Sequence, residues 1–137
     1  MELRRIWPPD VYILGGPTPA CAQVIEVVRT QPGRSIHVAG TYPWGLDQKV
    51  VEPSDMAGQV RAALENIRRS LAAVGATQAD VVRVKSYVTD MEAFKTTGYQ
   101  EFARFWGDSL PTSTLVQVVR LGDPDALIEV EAYAETD

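Results

Sequence analysis

Residues 110–134, LPTSTLVQVVRLGDPDALIEVEAYA, constrain this chain more than any other stretch. Apolar and polar residues alternate on both sides of a short Gly-Asp-Pro-Asp turn, the period-two signature of strands with one buried face. The pattern predicts two strands joined by that turn. It puts Ser113, Leu115, Gln117 and Val119 on one face of the first strand, and Glu129, Glu131 and Tyr133 on one face of the second. Strands of this kind need a layer of other elements over their apolar side.

The rest of the chain supplies that layer. Pro8-Pro9 and the stretch Gly15-Gly16-Pro17-Thr18-Pro19 break the first twenty residues into loop. Residues 23–29 (QVIEVVR) are rich in β-branched side chains and read as a strand. Gln31-Pro32-Gly33-Arg34 reads as a turn, with a returning strand over residues 36–39. A loop over residues 41–51 carries Tyr42 and Trp44. Met56, Val60, Ala63, Leu64, Ile67, Leu71 and Val74 then recur at helical intervals, with Ser54 as the expected N-cap, Asp55 in the first turn and Gly75 at C′. Glu65 and Arg69 stand four apart on this helix, as an ion pair requires. Residues 81–88 alternate as a strand. Asp90 caps a second helix that buries Met91, Phe94, Phe102 and Phe105 and ends at Gly107. The order is β-β-α-β-α-β-β, and an additional short strand over residues 3–7 is compatible with it. This predicts an α+β fold, a mixed sheet with two helices on one face. With no repeat or linker, residues 1–137 are expected to form a single domain.

Charge and residue counts narrow the function. A net charge of −5 offers no basic surface for a polyanion, so nucleic acid is not the expected partner. No apolar run approaches the ~20 residues of a membrane span, and the N-terminal residues lack an apolar signal core, so the expected location is cytoplasmic. One cysteine, Cys21, excludes an intrachain disulfide, and one histidine, His37, gives too few ligands for a His- or Cys-rich metal site. His37 sits in an apolar run and reads as a packed, hydrogen-bonded residue rather than a base. No metal or cofactor is expected.

Ordered motifs carry a resemblance. Val38-Ala39-Gly40, Gln59, Asn66, Gly75-Ala76, Asp80-Val81-Val82-Arg83-Val84, Val88-Thr89-Asp90, Phe94, Pro111 and Glu129-Val130-Glu131-Ala132 follow one another as in the Rid/YjgF family, which the chain resembles from about Cys21 to Ala134. The resemblance implies a chorismate mutase-like fold and a homotrimer with a barrel-like core and three clefts between subunits. The mixed apolar and acidic face of Leu115, Gln117, Val119, Glu129, Glu131 and Tyr133 also suits an oligomer interface.

The same resemblance supplies candidate site residues. In deaminase members an arginine on the first C-terminal strand clamps the substrate carboxylate, a glutamate on the last strand activates water, a tyrosine lines the cleft and an asparagine on the second helix assists. The glutamate is kept as Glu131. The arginine position holds Ser113, and the tyrosine position holds Cys21. The asparagine position falls near Tyr99, with one extra residue around 96–98. Thr112, Thr114 and Leu115 flank the arginine position. Arg120 is retained but lies an odd number of residues from Ser113, so alternation turns it away. If buried without a cation, Glu131 should have a raised pKa, which suits a general acid or base. Cys21 reads first as a small buried hydrophobe; as a nucleophile it would need His37 and Glu131 nearby. Trp44 and Tyr42 either cap the cleft or simply pack their loop.

Two function classes remain open. One is a divergent hydrolase acting on an imine, enamine or related C–N bond other than the usual 2-imino acids, with catalytic Glu131 and Cys21 and with Ser113, Thr114, Leu115, Tyr99 and Trp44 around the substrate. The other is a noncatalytic trimer that binds a small metabolite or a partner protein. A ribonuclease, a label some family members carry, ranks third because of the chain's acidity.

Overall fold

The computed structural model describes residues 2–13, 16–19, 21–29 and 32–137. Six strands form one sheet in the order β1-β2-β3-β6-β4-β5. β1 (Glu2–Ile6), β2 (Val24–Val28) and β3 (Arg34–Thr41) form an antiparallel meander. β6 (Ile128–Thr136) lies antiparallel between β3 and β4 (Val81–Val88), and β5 (Thr112–Gln117) pairs parallel to β4 at the far edge. The expected short strand near the N-terminus is therefore present. Of the expected N-terminal loop and the first hairpin turn, Gly15 and Gln31 lie outside the described residues.

One expectation changes here. The two C-terminal strands are not joined by a short turn, because β4 lies between them. The Gly-Asp-Pro-Asp turn does exist: Asp123 Oδ1 accepts from the Asp125 amide at 2.9 Å. It sits inside a longer connection, from β5 to β6, that carries the chain past the end of β4. Val119 falls in that connection and is fully exposed.

Helix α1 (Met56–Ala72) covers one face of the sheet. All seven stripe residues from Met56 to Val74 are buried, against Val84, Val88, Ile128, Val130, Ala132 and Ala134 of the central strands. Its N-cap is Asp55 rather than Ser54, and neither side chain makes a capping hydrogen bond. Ser54 has φ +64°, a left-handed turn residue that brings the chain into the helix. Gly75, at φ +73°, closes the C-terminus: the Ala76 amide reaches the Leu71 carbonyl at 3.0 Å, the six-to-one bond of a left-handed helix cap. Glu65 pairs with Arg69 at 3.0 Å as expected, and with Arg68 as well.

The second helical rod runs through α2 (Met91–Ala93), a π turn (Phe94–Gly98) and α3 (Tyr99–Trp106). Asp90 caps it by accepting from the Ala93 amide at 2.9 Å. The π turn adds one residue to a helical turn. Gly98 lies within this turn, and a Cβ there would come within 3.1 Å of Met56 and Val60, so the glycine permits close approach to α1.

Register settles which residues share a face. Val84, Ser86 and Val88, buried under the helices, are paired with Ser113, Leu115 and Gln117. These three thus belong to the helix side of the sheet. Lys85 is paired with both Thr114 and Glu131, and Tyr87 with Val116 and Glu129, so those residues share the helix-free face. The expected single face joining Leu115, Gln117 and Val119 to Glu129, Glu131 and Tyr133 is divided between the two sides of the sheet.

At the α1 end of the meander, Glu26 is buried with only 5% of its side chain exposed. It is held by Arg34 and, at 3.4 Å, by Arg4. Arg34 also donates to the Val74 carbonyl at 2.9 Å, tying β3 to the helix C-terminus. Arg34→Met should cost on the order of 2–3 kcal/mol, somewhat below the ~3–5 for breaking a fully buried pair, because the arginine is part-exposed. Chemical denaturation checks this; a loss under about 0.5 kcal/mol would show that Arg4 alone suffices to hold Glu26.

Candidate functional site

Helix α1 builds the site from below through two buried polar residues. Asn66 donates from Nδ2 to the carbonyls of Tyr42 at 3.1 Å and Trp44 at 2.9 Å. Gln59 donates to the Asp125 carbonyl at 3.1 Å and accepts from the Leu127 amide at 2.7 Å. Each side chain satisfies backbone groups that would otherwise be buried without partners, and each fixes one loop. Asn66 holds the segment after β3, and Gln59 holds the segment before β6. A cleft of about 690 Å³ opens between them.

Its walls are aromatic. Tyr42 and Trp44 are stacked with centroids 4.8 Å apart, and Tyr12 meets Trp44 edge-on at 4.9 Å. The Trp44 indole donates to Asp123 Oδ2 at 2.8 Å, and the Tyr12 hydroxyl accepts from the Tyr42 amide at 2.6 Å. Trp44 thus both packs its loop and lines a cavity. Glu129 projects in from β6 over Gly40, where any Cβ would run into its carboxylate. A Cβ on Gly122 would similarly meet the Tyr42 hydroxyl at 2.6 Å. Both glycines are needed for close approach.

The electrostatics follow from burial. Glu129 is pushed above the usual carboxylate range, first by desolvation and further by the charge of Glu131, with the Tyr42 hydroxyl pulling the other way. Burial, with the Glu129 charge behind it, also raises Tyr42. Tyr42 accepts from the Gly122 amide at 3.1 Å, which leaves its own proton to donate toward Glu129. Tyr12 is raised by burial as well.

Glu131 lines a different, neighbouring cavity of about 670 Å³ on the same face, with His37, Arg83, Lys85 and Tyr133. Lys85 Nζ stands 3.7 Å from Glu131 Oε1, the two side chains being 34% and 41% exposed. In a single chain Glu131 is thus neither buried nor without a cation; Glu129 is the carboxyl in that situation. His37 is exposed and rests edge-on against Tyr133 at 4.5 Å, which corrects the expectation of a packed, hydrogen-bonded residue.

The sequence-predicted residues fall into separate groups. Cys21 and Trp44 line the Glu129 cleft, whereas Glu131 and His37 line the other cavity, so the Cys21–His37–Glu131 constellation is not assembled. Cys21 is exposed, not a buried hydrophobe. Ser113 and Leu115 lie on the helix side at the β5 edge, and Tyr99, largely exposed, begins α3 on that same side. Thr114 shares the Glu131 face. Thr112 does too, but its hydroxyl is committed to the Val82 carbonyl at 2.8 Å. Arg120 lies beyond the end of β5. Glu129, Tyr12 and Asp123 were missed as site residues. Glu129 carried a visible signal, its alternation with Glu131, but nothing in the sequence said which of the two would be desolvated. Among the described residues no three His, Cys, Asp or Glu side chains converge as a metal site, and no helix is long and apolar enough to cross a membrane.

Glu129 makes a signed pH prediction. Its folded-state pKa lies above the unfolded value, so ionisation opposes folding and stability is lost as pH rises through and above the ordinary carboxylate range. Glu129→Gln has no such loss. The melting-temperature difference, variant minus wild type, should become more positive between about pH 4 and pH 7. A difference that is flat or falls over this interval would contradict the desolvation argument.

Comparison with known proteins agrees with the architecture. The family described as endoribonuclease L-PSP matches residues 18–136. A RutC family protein of Pyrococcus horikoshii is 38% identical over 104 residues, covering 74% of this chain and 79% of the relative. The 2-iminobutanoate/2-iminopropanoate deaminase of Escherichia coli is 32% identical over 105 residues, covering 74% and 80%. The solved structure of the E. coli YjgF gene product superposes with a TM-score of 0.77 at 26% identity, covering 96% of this chain and 97% of that one. A mixed six-stranded sheet with its helices on one face, the ordered motifs and these matches together make the chain a member of the endoribonuclease L-PSP family, the Rid/YjgF group.

Proposed function

We propose that this chain is a homotrimer, each copy a single domain, that takes a small metabolite in clefts between subunits. There it hydrolyses an imine, enamine or related C–N bond, but not the usual 2-imino acids. The observation that carries this reading is the division of the family's site positions between two faces. Glu131 lies on the helix-free side, Cys21 lines the cleft beside Glu129, and Ser113, Leu115 and Tyr99 lie on the helix side. No single copy can bring both sets to one substrate, whereas the β5 edge of a neighbouring copy laid against the helix-free face can. The half-polar character of that face, with Lys85, Glu129, Glu131, Tyr133 and Val116, favours such cover.

In this reading the Glu131 carboxylate takes a proton from water as the water oxygen bonds to the imine carbon. The C=N π pair moves to nitrogen, which takes the proton back from the Glu131 carboxyl. Glu131 then passes the carbinolamine hydroxyl proton to nitrogen as the C–N bond breaks, which releases ammonia and leaves a carbonyl. A neutral Ser113 hydroxyl cannot replace a bidentate arginine clamp on a substrate carboxylate, which argues against the reaction named for the E. coli relative. The acidic surface argues equally against ribonuclease action. A second reading, a noncatalytic metabolite-binding trimer, is favoured by the Lys85–Glu131 pair itself, since a carboxylate engaged by a lysine is a weaker base. Cytoplasmic residence fits either reading.

Sedimentation equilibrium should give three chains per particle, and a monomer at micromolar concentration would overturn the composite cleft. Ser113→Arg should raise 2-iminobutanoate hydrolysis, followed as ammonia release, by roughly ten- to a hundredfold, since charge-assisted hydrogen bonds contribute about 1.5–3 kcal/mol. Wild-type turnover equal to that of arginine-bearing relatives would contradict the substrate restriction. Glu131→Gln should lower kcat on the true substrate by roughly 10²–10⁴ with little change in melting temperature, the range of a lost general base. A large stability loss without a specific activity loss would mark Glu131 as structural.

A further inference from the structure

The Glu129 cleft has a chemistry that the hydrolysis reading leaves unused. Its upper wall is the Tyr42–Trp44 stack with the edge of Tyr12 behind it. Both oxygens of Asp123 are occupied, one by the Trp44 indole and one by the Asp125 amide. Glu129 is left as the half-buried carboxylate that faces the cavity, over a Gly40 that leaves it room. Among the described residues that line this cleft there is no lysine, arginine or histidine. Aromatic faces beside a carboxylate, with no built-in counter-cation, are the arrangement that receives a positive charge.

We propose that the cleft between Glu129 and the Tyr42–Trp44 stack binds a planar, positively charged nitrogen group, an amidinium or iminium, with its N–H donors on Glu129 and its plane against the aromatic wall. The inference rests on the small-metabolite reading above and names its ligand class. With Ser113 in the arginine position, the cationic nitrogen rather than an anionic carboxylate is the recognised end of the substrate. An iminium is the protonated form of an imine, so a cleft that receives its charge would select that form from solution.

Three nearly isosteric probes test this on the intact protein without any measurement of turnover. Calorimetric titration should show benzamidine binding at least about tenfold tighter than neutral benzamide, with benzoate weaker than both. Glu129→Gln should bring benzamidine down to the benzamide level. Asn66→Gln, which disturbs the loop carrying Tyr42 and Trp44, should weaken benzamidine and benzamide together. Equal binding of benzamidine and benzamide, preference for benzoate, no benzamidine binding at millimolar concentration, or full benzamidine affinity in a folded Glu129→Gln variant would each overturn the proposal. The ranking of the three probes on wild-type protein stands even where a variant fails to fold. Cation selectivity in a protein that hydrolyses nothing would sink the catalytic reading alone, and hydrolysis without that selectivity would sink this one alone.

Discussion

Strand β6 sets the structure through the two-residue period of its side chains. Placed between β3 and β4, it turns Ile128, Val130, Ala132 and Ala134 into the core beneath α1, and Glu129, Glu131, Tyr133 and Glu135 onto the opposite face. A one-residue slip would put carboxylates under the helix, so the apolar half fixes the register and thereby the place of every acidic group. The carboxylates that could do chemistry are held by residues that do none. Glu135, for instance, takes hydrogen bonds from Tyr133 and from Ser35 at 2.8 Å, which keep it below the usual carboxylate range.

The same economy holds at the loops. Asn66 and Gln59 occupy positions on the buried side of α1 where an apolar residue would fill space equally well. Their amides instead satisfy the carbonyls of Tyr42, Trp44 and Asp125 and the amide of Leu127. A buried amide that satisfies loop backbone stabilises one loop geometry over others. The shape of the aromatic cleft is therefore set from the helix. The cleft's charge differs from what a carboxylate-binding site needs, because a half-buried glutamate stands inside it.

Much of this was legible in the residues themselves. The α1 stripe, the Asp90 cap and the alternation of β4 and β6 are local patterns, and local patterns survive into the fold. Strand order did not follow from them, because a turn between two alternating segments looks the same whether they pair with each other or flank a third. That difference moved Ser113 and Leu115 to the side opposite Glu131. His37 was misread for a related reason: an apolar run marks a strand but does not say which face its one polar residue takes. The desolvation of Glu129, rather than Glu131, depends on Gly40 and Tyr42 from a distant segment, which no spacing within β6 encodes.

The proposed composite cleft takes Cys21 and Glu131 from one copy and the β5 edge from another. Wild type carries a single thiol, at Cys21. A Ser113→Cys variant adds a second thiol at the β5 edge. Treatment with a short bismaleimide should link copies into dimers and trimers that persist on a denaturing gel, and the link should vanish when Cys21→Ser is added. Chains that migrate only as monomers, while the native protein sediments as a trimer, would show that these positions do not meet across a subunit boundary and would contradict the composite cleft.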